Sequence, residues 1–97
     1  MNPLEIIVRT TQEIAADETN VKAYKERATT LKQMFQLDDA LNDLNTIIDT
    51  LHTDDAEALQ MRGEIKMQKG DKNGALEDIK RAMSICPEIL KQFEGKF

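Results

Sequence analysis

The chain has 97 residues, 40% hydrophobic and 32% charged, a length and composition from which one small globular domain, 1–97, is expected. Eighteen acids against thirteen bases give a formal charge of −5, which repels phosphate backbones and anionic lipid, so no nucleic acid and no membrane is expected as partner. No apolar run approaches the roughly 20 residues that span a bilayer, the start lacks the basic residues of a signal peptide, and the expected location is cytoplasmic.

Apolar residues recur at helical spacing and no long stretch alternates strictly, so an all-α fold is expected. Asn2-Pro3-Leu4-Glu5 opens the first helix: a side-chain acceptor at the cap, proline where its missing N–H costs nothing, and glutamate completing a capping box. Leu4, Ile7, Val8, Thr11, Ile14 and Ala15 form its expected apolar stripe, and residues 3–17 are read as an N-terminal capping helix. Thr19 or Asn20 caps the second helix, which runs to about Met34 with Ala23, Tyr24, Arg27, Ala28 and Leu31 on one face. Phe35-Gln36-Leu37 turns the chain, and Asp38 begins a third helix whose Ala40, Leu41, Leu44, Ile47, Ile48 and Leu51 make a broad apolar face.

Asp54 and Glu57 suggest another capping box for a fourth helix reaching about Lys69. Gly70 is suited to the left-handed helix end and Asp71 to capping the fifth helix, with its Ala75, Leu76, Ile79, Ala82, Met83 and Ile85. Pro87 stops that helix and opens a short trailing one ending before Gly95, so residues 88–97 are read as a C-terminal cap through Ile89, Leu90 and Phe93.

An offset of 35 residues aligns the chain with itself. Ala23, Arg27, Gln33, Ala40, Leu41 and Asp43 meet the identical Ala58, Arg62, Gln68, Ala75, Leu76 and Asp78, six identities where roughly two are expected from average residue usage. Tyr24 with Leu59, Ala28 with Gly63 and Leu44 with Ile79 are conservative pairs. Such a period signals stacked supersecondary units, here residues 21–52 and 55–87. Ala28 or Gly63 on the first helix of each unit, and Ala40 or Ala75 on the second, are small because two helix axes approach there to about 8–10 Å.

Leu59, Arg62, Gly63, Ala75, Ile79, Ala82 and Pro87 resemble the tetratricopeptide repeat (TPR) family, whose pattern is W-x2-L-G-x2-Y, then A-x3-F, then P. Tyr24, Arg27, Ala28, Leu31, Ala40 and Leu44 carry a more degenerate copy, in which Phe35, Ile47 and His52 depart from the pattern. Lys66 departs too, standing where the family has an aromatic. The resemblance spans residues 21–87 and implies an antiparallel array of helical hairpins, an α-α superhelix, flanked by capping helices. It also implies a peptide-binding concave groove built from Lys22, Lys25, Thr29, Lys32 and Gln33 on one helix and Glu57, Gln60, Glu64, Met67 and Gln68 on the next. A subset of the family clamps a C-terminal carboxylate. Lys25 fits that clamp, whereas Thr29 and Met61 replace its asparagines.

The implied function is a protein-protein interaction module or scaffold that holds a peptide or helix of a partner without catalysis. The alternatives are a homo-oligomerisation module, with a homodimer driven by exposed apolar surface, and a non-catalytic fragment or subunit of a larger complex. One histidine, His52, and one cysteine, Cys86, offer no nucleophile with an orienting base, so no enzyme is expected. Asp38-Asp39, Asp54-Asp55 and Glu77-Asp78 lack the spacing of a calcium loop, so no metal and no cofactor is expected either.

Overall fold

The computed structural model describes residues 1–89 and 91, and every regular element among them is helical. Short polar side chains start most of these helices. Asn2 Oδ1 accepts from the Glu5 amide at 2.9 Å to open α1 (Pro3–Ala16), and Asn20 Oδ1 accepts from the Ala23 amide at 3.1 Å to open α2 (Val21–Gln33). The capping box at Asn2 closes differently from expectation, because its side-chain amide donates to Glu5 Oε1. Helix α3 (Leu37–Asn45) begins one residue before Asp38, after Gln36, which makes no side-chain cap bond. Helix α4 (Ala56–Gln68) is capped by Asp55, and not by Asp54, with Oδ1 accepting from the Ala58 amide at 3.0 Å. Asp54 instead accepts from Arg81 Nη2 at 2.7 Å on the surface. Asp71 caps α5 (Lys72–Ile85) through the Gly74 amide.

The chain divides into two units, Met1–Thr53 and a second that begins at Asp54. In the first, α2 packs against both α1 and α3. Its buried side chains include Ile14, Ala23, Tyr24, Ala28, Ala40, Leu44, Ile47 and Ile48. In the second, α4 and α5 form a hairpin around Ala58, Leu59, Ile65, Ala75, Ile79 and Ala82, and a 3-10 turn (Pro87–Ile89) adds buried Ile89. The trailing helix, Leu90, Phe93 and Gly95 lie outside the described residues. Two expected stripes are corrected. Ile85 is 43% exposed, and α1 turns Ile6, Ile7, Thr10 and Ile14 inward while Leu4, Val8, Thr11 and Ala15 face out. Thr10 serves an apolar interface because its hydroxyl donates to the Ile6 carbonyl at 2.7 Å.

The 35-residue repeat returns in backbone detail. After α2, the Gln36 amide donates to the Leu31 carbonyl at 2.8 Å; after α4, the Asp71 amide does the same to Lys66 at 2.8 Å. Both loops need a left-handed residue between helix and turn. Gly70 takes it at φ 87° without a steric penalty, while Phe35 takes it at φ 60° and leaves its ring 80% exposed. A left-handed residue with a Cβ costs about 1–2 kcal/mol. Phe35→Gly is therefore expected to raise the stability of the first unit by about 1 kcal/mol in a urea melt.

The second helices of the two units end differently. Where α3 was expected to run on to Leu51, a π-helical turn (Thr46–Thr50) takes over, closed by the Leu51 amide on the Thr46 carbonyl at 2.8 Å. Thr46, Ile47 and Ile48 are β-branched and crowd a normal turn, and Thr46 Oγ1 donates to the Asn42 carbonyl at 3.0 Å. His52 then takes a left-handed φ of 52°. Its equivalent Pro87 cannot adopt a positive φ, and α5 accordingly ends on extended Cys86.

Candidate functional site

The most specific side-chain geometry in the molecule is an arginine–aspartate clamp that occurs twice. Arg27 Nε and Nη2 donate to Asp43 Oδ2 and Oδ1 at 2.8 and 2.6 Å, joining α2 to the end of α3. Arg62 and Asp78 repeat this bidentate bond at 2.8 and 2.8 Å between α4 and α5. Each clamp joins a helix to the next through identical residues 35 apart. Lys66 joins the second clamp: its Nζ lies 3.0 Å from Asp78 Oδ2 and supplies a second cation to that carboxylate. Arg27 spends its remaining reach on Thr11 Oγ1, 3.2 Å from Nη1, and stacks 5.9 Å over the Tyr24 ring. The Asp43 hydrogen bond pushes the Arg27 guanidinium further up against the opposing effect of burial, so it stays charged at all accessible pH. Among the described residues, no buried side-chain nitrogen or oxygen lacks a partner. The clamps join helix to helix, and their buried polar atoms are all engaged within the protein.

The expected groove residues form one row on each leading helix. On α2, Lys22, Thr29 and Gln33 are exposed and Lys25 and Lys32 half-buried, and Thr29 Oγ1 donates to the Lys25 carbonyl at 2.8 Å. On α4, Glu57 and Gln68 are exposed and Gln60, Glu64 and Met67 half-buried. The first row is basic and the second mixed and more acidic.

Two hollows of the first unit were not foreseen. A polar cleft of about 560 Å³ is lined by Arg9, Glu13, Asn20, Lys22, Ala23 and Glu26. Arg9 bridges Glu13 on its own helix and Glu26 on α2, and the Glu26 hydrogen bond pushes its guanidinium upward. The spacing of Arg9 and Glu13 was visible in the sequence, whereas Glu26 required the α1–α2 packing. The second hollow, of about 460 Å³, is walled by Thr11, Ile14 and Ala15 of α1, by Tyr24 and Arg27 of α2, and by Thr46, Thr50 and Leu51 at the π turn. The Tyr24 hydroxyl donates across its rim to the Glu18 carbonyl at 3.1 Å. No sequence signal announces that wall, because it depends on the widened turn.

His52 is exposed and Cys86 half-buried, and neither has a hydrogen bond that would orient it for chemistry among those described. No group of three or more His, Cys, Asp or Glu side chains is arranged to hold a metal ion among the described residues. No described helix is long and apolar enough to cross a membrane. No model of a known protein family matches the chain, and no curated protein matches it.

Proposed function

We propose that this chain is a non-catalytic protein-interaction module of the tetratricopeptide type, in which repeated hairpins present these rows of their leading helices to a peptide or helix of a partner. The duplicated clamp, Arg27–Asp43 and Arg62–Asp78, is the observation that carries the reading. A bidentate ion pair between consecutive helices, recurring 35 residues later with the same atoms, supports reading the two helix pairs as copies of one hairpin. A hairpin copied for its shape offers surface, and surface recognises through contact area and a few polar anchors. On this reading Lys22, Lys25 and Lys32 attract acidic segments of the ligand, while Glu57 and Glu64 discriminate against acidic groups at the second row.

Affinity capture with the full chain, run beside a Lys22/Lys25/Lys32→Glu variant, tests the assignment. The variant is expected to lose the principal partner by tenfold or more, since three charge reversals each add roughly 0.5–1 kcal/mol of repulsion. Recovery of the same proteins by both baits at the same yield would remove the α2 row as the reading surface.

A further inference from the structure

Laid on α3 and the π-helical turn that follows it with a shift of 34 residues, α1 reproduces their pattern of exposure. Ile6, Thr10 and Ile14 fall on Ala40, Leu44 and Ile48, all buried or half-buried. Leu4, Val8, Thr11 and Ala15 fall on Asp38, Asn42, Asn45 and Asp49, and all eight are exposed. A further 35 residues on, α5 has Asn73, Glu77, Lys80 and Ser84 in the same outward row, again all exposed. Two helices thus fill this row with polar residues, while α1 fills it with apolar Leu4, Val8 and Ala15 and a single hydroxyl, Thr11. Leu4 is 67% and Val8 57% exposed. The spacing of 4, 3 and 4 residues is that of a coiled-coil seam, with β-branched Val8 and Leu4 in its two kinds of position.

We propose that a second copy of this chain covers the row, the two α1 helices packing antiparallel about a two-fold axis. The row is complementary to its own reverse. In the register where paired numbers add to 19, Leu4 of one copy meets Ala15 of the other and Val8 meets Thr11, each twice by symmetry. A large side chain then faces a small one in the two outer layers, Leu4 on Ala15, and the nearly isosteric Val8 and Thr11 meet in the two inner ones. The hollow of about 460 Å³ beside Ala15, bordered by Ile14, Tyr24 and Leu51, gives the incoming Leu4 room. The flanks agree as well: Glu5 borders the seam near Gln12 of the other copy, a carboxylate opposite an amide donor. A parallel pair would crowd Leu4 on Leu4 and leave Ala15 facing Ala15 across a void. Four layers over 11 residues span only about 16 Å. The interface therefore falls below the ~1,200 Å² of stable complexes, and the dimer is a weak, concentration-dependent one. It uses a surface separate from the α2 and α4 rows, so it stands whether or not those rows bind a partner.

Sedimentation equilibrium of the full chain, from about 10 μM to about 1 mM, tests the proposal in the range where so small an interface dissociates. The mass is expected to rise from 11.0 kDa toward twice that value. Val8→Glu, at an exposed position, is expected to keep the helical circular dichroism of the wild type and weaken association about tenfold or more. In a Cys86→Ser background, a mixture of Leu4→Cys and Ala15→Cys chains is expected to form a mixed disulfide, with little linkage of Leu4→Cys to itself. A monomer throughout the range, or a Val8→Glu variant that associates like the wild type, overturns the proposal and leaves a foreign helix or a lipid surface as the occupant. Self-linking of Leu4→Cys overturns the antiparallel register.

Discussion

Asp78→Ala is expected to destabilise the second unit by about 3–5 kcal/mol in a urea melt, while Asp43→Ala costs the first unit about 1–3 kcal/mol. The two clamps share their atoms and differ by only 0.2 Å in one of two distances, so the difference is assigned to solvent. The Arg62 side chain is 9% exposed and that of Arg27 22%. Removing Asp78 takes the carboxylate from a guanidinium that is almost wholly shielded from water and releases Lys66 as well, whereas Arg27, more than twice as exposed, keeps partial hydration. Equal losses in the two variants would contradict this ranking. Protonation supplies an independent check. Burial alone pushes the Asp78 carboxyl up, but hydrogen bonds from Arg62 and Lys66 together outweigh it and hold the group below its ordinary 3.8. A carboxyl depressed by folding contributes stability that is complete above its ordinary value and is lost as pH falls through the lower, folded value. The stability gap between wild type and Asp78→Ala is therefore expected to stay constant from about pH 6 to 8 and to narrow below about pH 4. A gap independent of pH down to about pH 2 would show that the carboxylate charge is not what holds the clamp.

The helices were legible because their signals are local. Asn2, Asn20, Asp71 and Gly70 sit where caps and stops must sit, and each does its expected job within three or four residues. The choice of Asp55 over Asp54 was not legible, since two adjacent aspartates offer the same acceptor and only Arg81, 27 residues away, draws Asp54 off. The inward face of α1 was misjudged for a related reason. Its apolar residues cover more than one face, and periodicity cannot say which one meets α2. Thr10 settles it by hiding its hydroxyl on Ile6. The offset of 35 brought Arg27 to Arg62 and Asp43 to Asp78 as separate identities; that they pair across each hairpin needed the packing. The π turn and the hollow beside it had no signal beyond a run of β-branched residues. The rows on α2 and α4 follow from spacing alone, and spacing did not reveal that Lys25, Lys32, Gln60, Glu64 and Met67 are half-buried.

Gly63→Leu is expected to cost the second unit about 1–3 kcal/mol or more, because the space at that position is already spent. A Cβ built on Gly63 would lie 2.8 Å from Ile79 Cγ1 and 3.1 Å from the Ala75 carbonyl oxygen. The second contact is with backbone, which cannot rotate away, so a larger side chain must force α4 from α5. Gly63→Ala is a finer probe. It gains about 1 kcal/mol of helix propensity but must displace Ile79. The first unit shows how the conflict can be relieved, since its equivalent positions hold Ala28 and Leu44, both fully buried. Leucine carries one branch fewer at Cβ than isoleucine and leaves room for a methyl group on the opposite helix. The double variant Gly63→Ala/Ile79→Leu, which copies the first unit into the second, is therefore expected to be more stable than the sum of its single changes predicts, by at least about 0.5 kcal/mol. Strict additivity in that cycle would mean that Ile79 Cγ1 is not what keeps residue 63 a glycine, and would leave the Ala75 carbonyl as the contact that does.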